Sequence, residues 1–430
     1  MKYHIPADLF IRNRKKLTNL LDNQSVAIVL SNDKYVRSGD QPYPYRQNSD
    51  LLYLTGINQE ETVLVLCPEH PEEKKKEVLF ILKPDKTTER WEGHKLTKEE
   101  ARSISGVYNI YWTEELDLVL RDMVVHSKNI YINTNEYLKL TEKVPDLSKR
   151  FIQDIKEKYP LHEYRRLAPL ITGLRVVKEP EEIEMIKKAC QITRDAFMRI
   201  LGFIRPGANE YEVEAEITHE FLTQGSSGHA YLPIIASGNN ANVLHYVKND
   251  DTCKNGDLLL MDFGAEYGNY IADCTRTIPV NGKFTKRQRE LYSANLRVLN
   301  RAMEMVVPGN TITDVHNEVC KLWEEEHIRL GLYTRAQVKN QDMDHPLFST
   351  YYMHGTSHFI GLDVHDVGAK EIKFSPGMIL TCEPGIYNDD EGIGIRLENN
   401  ILCTKKGPVN LMKDIPIEPD EIEKLMKRKS

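Results

Sequence analysis

The sequence of 430 residues lacks several features that would point to particular classes of protein. It has no apolar run of the roughly 18–20 residues that a membrane-spanning helix requires. Its N-terminal stretch, "MKYHIPADLFIRNRKKLTNLL", has no apolar centre of the kind found in secretory signal peptides. It also lacks a basic excess, since the formal net charge is −7, whereas nucleic-acid-binding domains carry a basic face. We therefore expect no membrane segment and no nucleic-acid partner.

Cysteine pairs are missing as well. The seven cysteines are odd in number and scattered, and none forms a CxxC spacing. A disulfide framework would need an even, regularly spaced set, so this pattern is typical of reduced thiols. We expect a cytoplasmic protein.

The N-terminal part of the chain alternates short apolar runs with helix-like stretches. Apolar runs at 25–32, 62–67, 77–83 and 129–133 predict buried strands. The segment Thr97–Gly106 predicts a helix with Thr97 as its N-cap and Gly106 at its end. Because 430 residues exceed one ordinary core, we predict a first domain of α/β class over residues 1–168.

The rest of the chain, residues 169–430, predicts a second domain built from two similar halves. After an irregular connector at Leu167–Arg175, a long amphipathic helix is expected over Lys178–Leu201 and a second helix within Arg205–Gly225. The same order, with a Pro-Gly break between two helices, returns in Thr285–Glu326. A strand-rich segment follows each helix pair, so we expect each half to contribute helices and sheet.

The first strand-rich segment, "LLLMDFGAEYGNYIADCTRTIPV", contains two aspartates that can be paired by counting. If Tyr267–Gly268 form a two-residue hairpin loop, Asp262 lies directly opposite Asp273. Opposed side chains share one face of the sheet and lie about 4.5–5.5 Å apart. Two aspartates at that spacing repel one another, which is unfavourable unless a cation lies between them.

The second strand-rich segment, "TCEPGIYNDDEGIGIRLENNIL", repeats this arrangement with glutamates. Counting from a turn near Asp390–Glu391 sets Glu383 opposite Glu398. A single acidic residue is ordinarily a solvated loop residue, but two pairs at matching register predict a metal site. Cys274 and Cys382 each lie one residue from a candidate ligand, so they face the other side of the strand and are expected in the core.

The stretch "MHGTSHFIGLDVHD" (353–366) adds three histidines to a segment that looks strand-like. Taken singly, each histidine would be a surface or core residue. Four carboxylates and one imidazole would instead form an oxygen-rich site that suits Mn²⁺, Co²⁺ or Zn²⁺. Two such ions would offset the four carboxylate charges, and paired metal ions of this kind catalyse hydrolysis.

These motifs together resemble a known family. "HGTSHFIGLDVHD", "MDFG…IADCTRT", "TCEPGIY" and "IRLENNIL" are similar, in order and content, to the metal-binding motifs of the pita-bread metallopeptidases. The residues of these motifs most resemble those of the bacterial aminopeptidase P family, and "YPYRQNSDLLYLTG" (43–56) is similar to that family's N-terminal signature. The resemblance covers nearly the whole chain. It implies an α/β N-terminal domain followed by an α+β pita-bread domain, in which pseudo-twofold halves surround a curved, mainly antiparallel sheet.

The resemblance also implies a set of metal ligands and their metals. Two divalent ions would be bound, with Mn²⁺ as the first choice and Co²⁺ or Zn²⁺ as alternatives. Asp273 and Glu398 would bridge the two ions. The implied ligands are Asp262, Asp273, His358, Glu383 and Glu398.

Further residues receive roles from the same resemblance. Glu383 would transfer a proton, while His365 and His245 would stabilise negative charge on the substrate. His354 would line the site. Arg396 would hold a ligand carboxylate, the alternative being a surface salt bridge.

Two residues of the N-terminal domain, Asp40 and Trp91, match family positions that reach the active site of a neighbouring subunit. Trp91 would offer an aromatic wall to a proline ring, although a buried core tryptophan is an equal alternative. The resemblance thus implies a homodimer or homotetramer.

The implied activity is release of the first residue from peptides that have proline in the second position. A prolidase, which cleaves Xaa-Pro dipeptides, would share the ligands and is the main alternative. Creatinase-like relatives do not keep the five-ligand set. A non-catalytic binding module of the same fold would typically have lost ligands, and this sequence keeps all of them.

Overall fold

The computed structural model describes residues 5–137 and 144–427. The chain divides into two compact units, Met1–Arg175 and Val176–Ser430. The domain boundary after residue 168 stays a prediction. Among the described residues, none of the helices combines the length and the apolar character needed to cross a membrane.

The N-terminal unit is built from a mixed sheet and its helices. Its helices are α1 Ala7–Thr18, α2 Ser49–Thr55, α3 Lys86–Glu92, α4 Lys98–Ser105, α5 Leu116–Val125, α6 Leu147–Lys158 and α7 Ala168–Arg175. Its strands are β1 Ser25–Leu30, β2 Val36–Ser38, β3 Gln41–Pro42, β4 Val63–Leu66, β5 Glu77–Ile81, β6 Asn109–Trp112, β7 Asn129–Ile132 and β8 Glu163–Arg166.

Six strands form the central sheet in the order β6-β5-β4-β1-β7-β8. The β1–β4 and β4–β5 pairs are antiparallel, while the other neighbours are parallel. Every residue of β1 and β4 is buried, as continuous apolar runs predict. The four predicted strands are confirmed, and so is Thr97 as the N-cap of α4, where it accepts from the backbone N–H of Glu100 in a capping box.

The predicted irregular connector at Leu167–Arg175 is wrong, because Ala168–Arg175 forms α7. Pro169 and Gly173 disfavour a helix by local preference, but a proline is tolerated in the first turn, where its missing N–H has no helical partner. Leu167 and Ile171 are fully or almost fully buried. Burial of these apolar residues outweighs the weak helix propensity.

The C-terminal unit carries longer helices and shorter strands. Its helices are α8 Pro180–Phe203, α9 Glu210–Thr223, α10 Lys286–Glu304, α11 Ile312–Arg329, α12 Arg335–Lys339 and α13 Pro419–Lys427. Its strands are β9 Gly228–His229, β10 Ile234–Ser237, β11 Leu258–Phe263, β12 Ala265–Tyr267, β13 Tyr270–Ile271, β14 Cys274–Pro279, β15 Ile379–Cys382, β16 Gly385–Asn388, β17 Ile393–Arg396, β18 Asn399–Thr404 and β19 Gly407–Asn410.

The two predicted halves of this unit are confirmed. Helices α8 and α9 precede strands β9–β14, and α10 and α11 precede β15–β19. Every strand pair recorded within the described part of the unit is antiparallel. Cys274 and Cys382 are fully buried, as predicted for residues next to the candidate ligands that face the core.

The register predicted for the aspartate pair is wrong, because the hairpin turn lies one residue later in the sequence than predicted. Asp262 lies opposite Thr275, and the hairpin closes through Gly268 and Asn269 rather than through Tyr267 and Gly268. Gly268 has φ +61° and Asn269 φ +65°, which are the positive angles that a two-residue hairpin turn requires. A shift of two residues along the partner strand keeps Asp262 and Asp273 on the same face, as diagonal neighbours.

The register predicted for the glutamate pair agrees with the structure. Cys382 of β15 pairs with Asn399 of β18, and Gly385 of β16 pairs with Arg396 of β17. Glu383 and Glu398 lie between these two strand pairs, and the constant register sets them opposite each other.

The strand predicted for residues 353–366 is wrong. Apart from one isolated bridge between Phe359 and Leu380, this segment is irregular. It runs beside β15, where the N–H of Thr381 donates to His358 O at 2.9 Å. Gly361 lies so close to Asp366 that a Cβ there would be 2.3 Å from a carboxylate oxygen. The segment instead turns back on itself, with the N–H of Asp366 donating to Phe359 O at 2.9 Å.

Candidate metal centre

Asp262 and Asp273 are joined through one tyrosine. Tyr231 Oη lies 2.7 Å from Asp262 Oδ1 and 2.5 Å from Asp273 Oδ1. Burial and the two aspartates raise the pKa of Tyr231 well above its usual value, so the phenol stays protonated. A single phenol proton cannot fully satisfy two carboxylates at once. The pair keeps acceptor capacity for a cation.

Asp273 is also part of a tight group with His358 and Glu398. One ligand atom from each of the three lies within 4.8 Å of the others. His358 Nδ1 donates to Phe359 O at 3.0 Å, which leaves Nε2 as the nitrogen that can bind a metal. Nε2 lies 3.4 Å from Asp273 Oδ2 and 3.6 Å from Glu383 Oε1. The histidine is thus oriented towards the carboxylates.

Glu398 gives a direct sign that the group is built to take a cation. Its side chain is almost fully buried, and Oε2 accepts a bond from Thr275 Oγ1 at 2.8 Å. Oε1 is buried and has no hydrogen-bond partner within the described part of the chain. A buried acceptor without a partner is costly, and a divalent cation would satisfy it. The residues present therefore fit a divalent metal site.

The pKa values of Glu398, Glu383 and His358 also fit a metal site. Burial, together with the charges of Asp273 and Glu383, raises the pKa of Glu398 well above its usual range. Burial raises the pKa of Glu383 to about 7. Burial alone would lower the pKa of His358, but its bond to Asp273 and the charge of Glu383 raise it to about 9. Without a cation, several of these groups hold protons that a metal would displace.

Arg396 lies beside this group and is 4% exposed, which rules out the surface salt bridge considered above. Its Nη2 donates to Asp262 Oδ2 at 2.7 Å and its Nη1 to Tyr387 Oη at 2.9 Å. Its Nε donates to Thr275 Oγ1 at 3.1 Å. Arg396 thereby fixes the Asp262 carboxylate directly. It also fixes Thr275, whose hydroxyl donates to Glu398.

Of the other predicted histidines, the structure gives His354 and His365 contacts next to the group. His354 Nδ1 donates to Gly355 O, and Nε2 accepts from Tyr387 Oη at 2.9 Å. Burial lowers the pKa of His354 to about 3, so its ring is neutral. The His365 ring stands edge-on to His358 with centroids 4.6 Å apart. His245 is exposed, in the loop after β10.

The two N-terminal residues are exposed within their own unit. Trp91 lies in α3 and is 83% exposed, so the alternative of a buried core tryptophan is wrong. Asp40 lies between β2 and β3, where its Oδ1 accepts from Gln41 Nε2 at 3.0 Å. Both residues belong to the N-terminal unit, whereas the candidate metal ligands belong to the C-terminal unit.

A second group of possible ligands, His70, Asp122 and His126, lies in the N-terminal unit. Lys75 Nζ already lies 2.6 Å from Asp122 Oδ2 and neutralises it. His70 Nδ1 accepts from the N–H of Glu72 at 3.0 Å, which sets the proton on Nε2. His70 Nε2 lies 3.2 Å from Asp122 Oδ2, and because it carries the proton it has no lone pair to offer a metal.

Sequence reasoning missed three residues that the structure places at the site, namely Tyr231, Thr275 and Tyr387. Thr275 could have been found, because it lies two residues after Asp273 on the same strand face. Tyr231 and Tyr387 gave no such signal, since each reaches its partners only through the tertiary fold.

Comparison with known proteins agrees with this geometry. Residues 184–405 match the model of metallopeptidase family M24, and residues 10–131 match the aminopeptidase P N-terminal domain. The chain is 36% identical to the Xaa-Pro aminopeptidase of Escherichia coli, with 97% of each protein covered, and 30% identical to human Xaa-Pro aminopeptidase 3, with 97% of this chain and 85% of that protein covered. A solved structure of Zn-substituted E. coli aminopeptidase P in complex with product superposes with a TM-score of 0.89 at 34% identity over all of both chains.

Proposed function

Because the chain belongs to metallopeptidase family M24 and shares its pita-bread fold, we propose that it is an Xaa-Pro aminopeptidase. It would release the first residue from peptides whose second residue is proline. The observation that carries this proposal is the cluster of Asp273, His358 and Glu398, in which the buried Glu398 Oε1 has no hydrogen-bond partner among the described residues. Glu383 lies beside His358, and Asp262 is joined to Asp273 through Tyr231.

The metals would be held by the residues of this group. Asp262, Asp273, His358, Glu383 and Glu398 are the proposed ligands, with Asp273 and Glu398 shared by two ions. Oxygen-rich ligands with one imidazole suit Mn²⁺, which we propose as the metal, and also accept Co²⁺ or Zn²⁺. When bound, such ions supply Lewis acidity and activate water for hydrolysis.

Glu383 is the proposed proton carrier. Its Oε1 lies 3.6 Å from His358 Nε2 and so borders the proposed metal position, where its carboxylate would take a proton from water. The proton taken from water would pass to the nitrogen of the departing proline. That nitrogen belongs to a tertiary amide, so it must gain a proton to leave as an amine.

The histidines would orient and stabilise the substrate. His245 and His365 are proposed to donate hydrogen bonds to the carbonyl oxygen as negative charge develops. His354, which Tyr387 and Gly355 hold in one tautomer, would line the proline pocket. Proline offers no N–H, so the pocket has to fit a ring rather than accept a hydrogen bond.

We further propose a homodimer or homotetramer, with Asp40 and Trp91 contributing to a neighbouring subunit's substrate site. The exposed indole of Trp91 suits such a contact. A cytoplasmic location is proposed from the cysteines, all of which are free thiols.

Prolidase activity is the second candidate, because it would use the same ligands. The match of residues 10–131 to the aminopeptidase P N-terminal domain favours the first candidate. The non-catalytic module is disfavoured by the retention of every ligand.

The test is hydrolysis of Xaa-Pro-Pro tripeptides beside Xaa-Pro dipeptides, after chelation and again after addition of Mn²⁺. We expect metal-dependent cleavage of the tripeptide at its first bond. Cleavage of dipeptides alone would identify a prolidase. If neither is cleaved with Mn²⁺, Co²⁺ or Zn²⁺, the enzymatic proposal is wrong.

A further inference from the structure

Glu210, at the start of α9, is a fully buried carboxylate outside the metal centre. Its Oε1 accepts from Ser237 N at 2.7 Å, Ser237 Oγ at 2.8 Å and Asn240 Nδ2 at 3.1 Å. Its Oε2 accepts from Tyr246 Oη at 2.8 Å and Asp251 N at 3.0 Å. Five donors converge on one side chain, and such charge-assisted bonds are stronger than neutral ones.

All of these donors come from one segment, residues 237–251, which carries His245. The segment begins with Ser237, the last residue of β10, has a 3₁₀ turn at Gly238–Asn242 and is otherwise irregular. It therefore has few backbone bonds of its own to fix its shape. Glu210 binds it at both ends and, through Tyr246, at the residue next to His245.

The same tyrosine connects the segment to the metal centre. Tyr246 and Leu244 pack on a buried apolar cluster that includes Tyr387. Tyr387 Oη in turn contacts His354 and Arg396, both within 2.9 Å. A change in the position of Tyr246 would therefore alter the packing around Tyr387 and move the neighbouring His245.

We propose that Glu210 is a positioning residue for catalysis, which holds His245 at the substrate through its bond to Tyr246. This inference rests on the proposed function, in that His245 is taken to contact the substrate. Glu210 itself is buried and acts only through the segment it binds. Glutamine cannot replace it, because an amide offers one acceptor oxygen where five donors need two.

The principal test is Tyr246→Phe in the Mn²⁺-loaded protein, since this variant removes one hydroxyl and leaves the packing of the ring. Misplacement of a catalytic group by 1 Å costs on the order of 100-fold in rate, and partial release of the segment should lower kcat about tenfold with little change in KM. The matched control is Tyr292→Phe, which removes a bond of 2.7 Å to Ile417 O in the same unit. The control should leave kcat unchanged.

A double-mutant cycle separates positioning from a general loss of stability. In a His245→Ala background, Tyr246→Phe should cause less than about a twofold further loss, because the group that it positions is gone. A further loss of about tenfold would overturn the inference. Full activity of His245→Ala would also overturn the inference, because it would mean that His245 makes no contact with the substrate that matters for catalysis.

Hydrogen exchange gives a readout that does not depend on cleavage. Glu210→Gln and Tyr246→Phe should speed exchange of the Val243 and Tyr246 amides, which donate to Asn240 O and Val243 O. Tyr292→Phe should not. If the wild-type protein fails to cleave Xaa-Pro peptides but exchange responds in this way, the proposed function is wrong while Glu210 still orders the segment. Unchanged exchange and unchanged kcat in Tyr246→Phe would overturn the inference.

Discussion

Lys178 and Asp366 form an ion pair whose loss should destabilise the C-terminal unit strongly. Lys178 Nζ lies 2.9 Å from Asp366 Oδ2, and both side chains are 1% exposed. Lys178 precedes α8, while Asp366 ends the irregular segment that carries His358 and His365. The pair therefore joins two parts of the unit that are far apart in sequence.

The expected magnitude follows from burial. Lys178→Met keeps the side-chain volume but leaves the Asp366 carboxylate buried without its cation, which costs about 3–5 kcal/mol in free energy of unfolding. Lys178→Met with Asp366→Asn removes both charges, so we expect it to recover most of that loss. At an m-value of roughly 3 kcal/mol/M, the single variant should lower the urea midpoint by roughly 1–1.7 M.

The assay follows Trp323 fluorescence during urea unfolding of metal-free protein. Trp323 is fully buried in the C-terminal unit. The other two tryptophans, Trp91 and Trp112, lie in the N-terminal unit and are replaced by phenylalanine in every variant. Removing the metal avoids stabilisation by bound ligand, which would mask the difference.

Two results would refute the reasoning. A midpoint shift below about 0.3 M for Lys178→Met would mean that the buried carboxylate does not need its cation. A double variant as unstable as the single one would mean that packing of the lysine stem, rather than charge, accounts for the loss.

Three other predictions concern the site and its surroundings. Asp273→Ala should abolish cleavage and lower bound Mn²⁺ while leaving the circular dichroism spectrum intact, and full activity would contradict the ligand assignment. Arg396→Lys should lower kcat/KM roughly 10–100-fold, because one ammonium cannot reach the three side chains that the guanidinium contacts; unchanged kinetics would contradict this. Burial raises the pKa of Glu182 to about 7 from 4.5, so the stability that its neutral form contributes is present below about pH 4.5 and lost as pH rises through 7. Against Glu182→Gln, metal-free wild type should lose roughly 3 kcal/mol of unfolding free energy between pH 4.5 and 8, and parallel pH profiles would show that Glu182 is not the group responsible.

Local patterns predicted those parts of the fold in which local forces dominate. Continuous apolar runs identified β1 and β4 because both are wholly buried. The symmetric count also set Glu383 opposite Glu398, because the loop between their strands is centred where the turn residues are. Counting failed where two dipeptides could both form the turn. Gly268 and Asn269 both have positive φ angles, whereas Tyr267 does not, so the turn forms at Gly268–Asn269.

Tertiary contacts could not be predicted in this way. Tyr231 is separated from Asp262 by 31 residues and from Asp273 by 42, and its own neighbours in sequence show no periodic pattern. Its role exists only because β11 and the residues before β14 lie side by side. For the same reason α7 was missed, since burial of Leu167 and Ile171 depends on the rest of the unit.

Irregular backbone, rather than a strand or a helix, carries all four histidines of the proposed site, His245, His354, His358 and His365. Such backbone can aim a side chain where a strand cannot, but it lacks the ladder of hydrogen bonds that makes a strand rigid. Both segments concerned are bound at a buried charged group: residues 237–251 at Glu210, and the end of 353–366 at the ion pair of Asp366. A buried charge tolerates few arrangements of its partners. We infer that these two charged groups hold the histidines in place and leave the segments free to depart from regular structure.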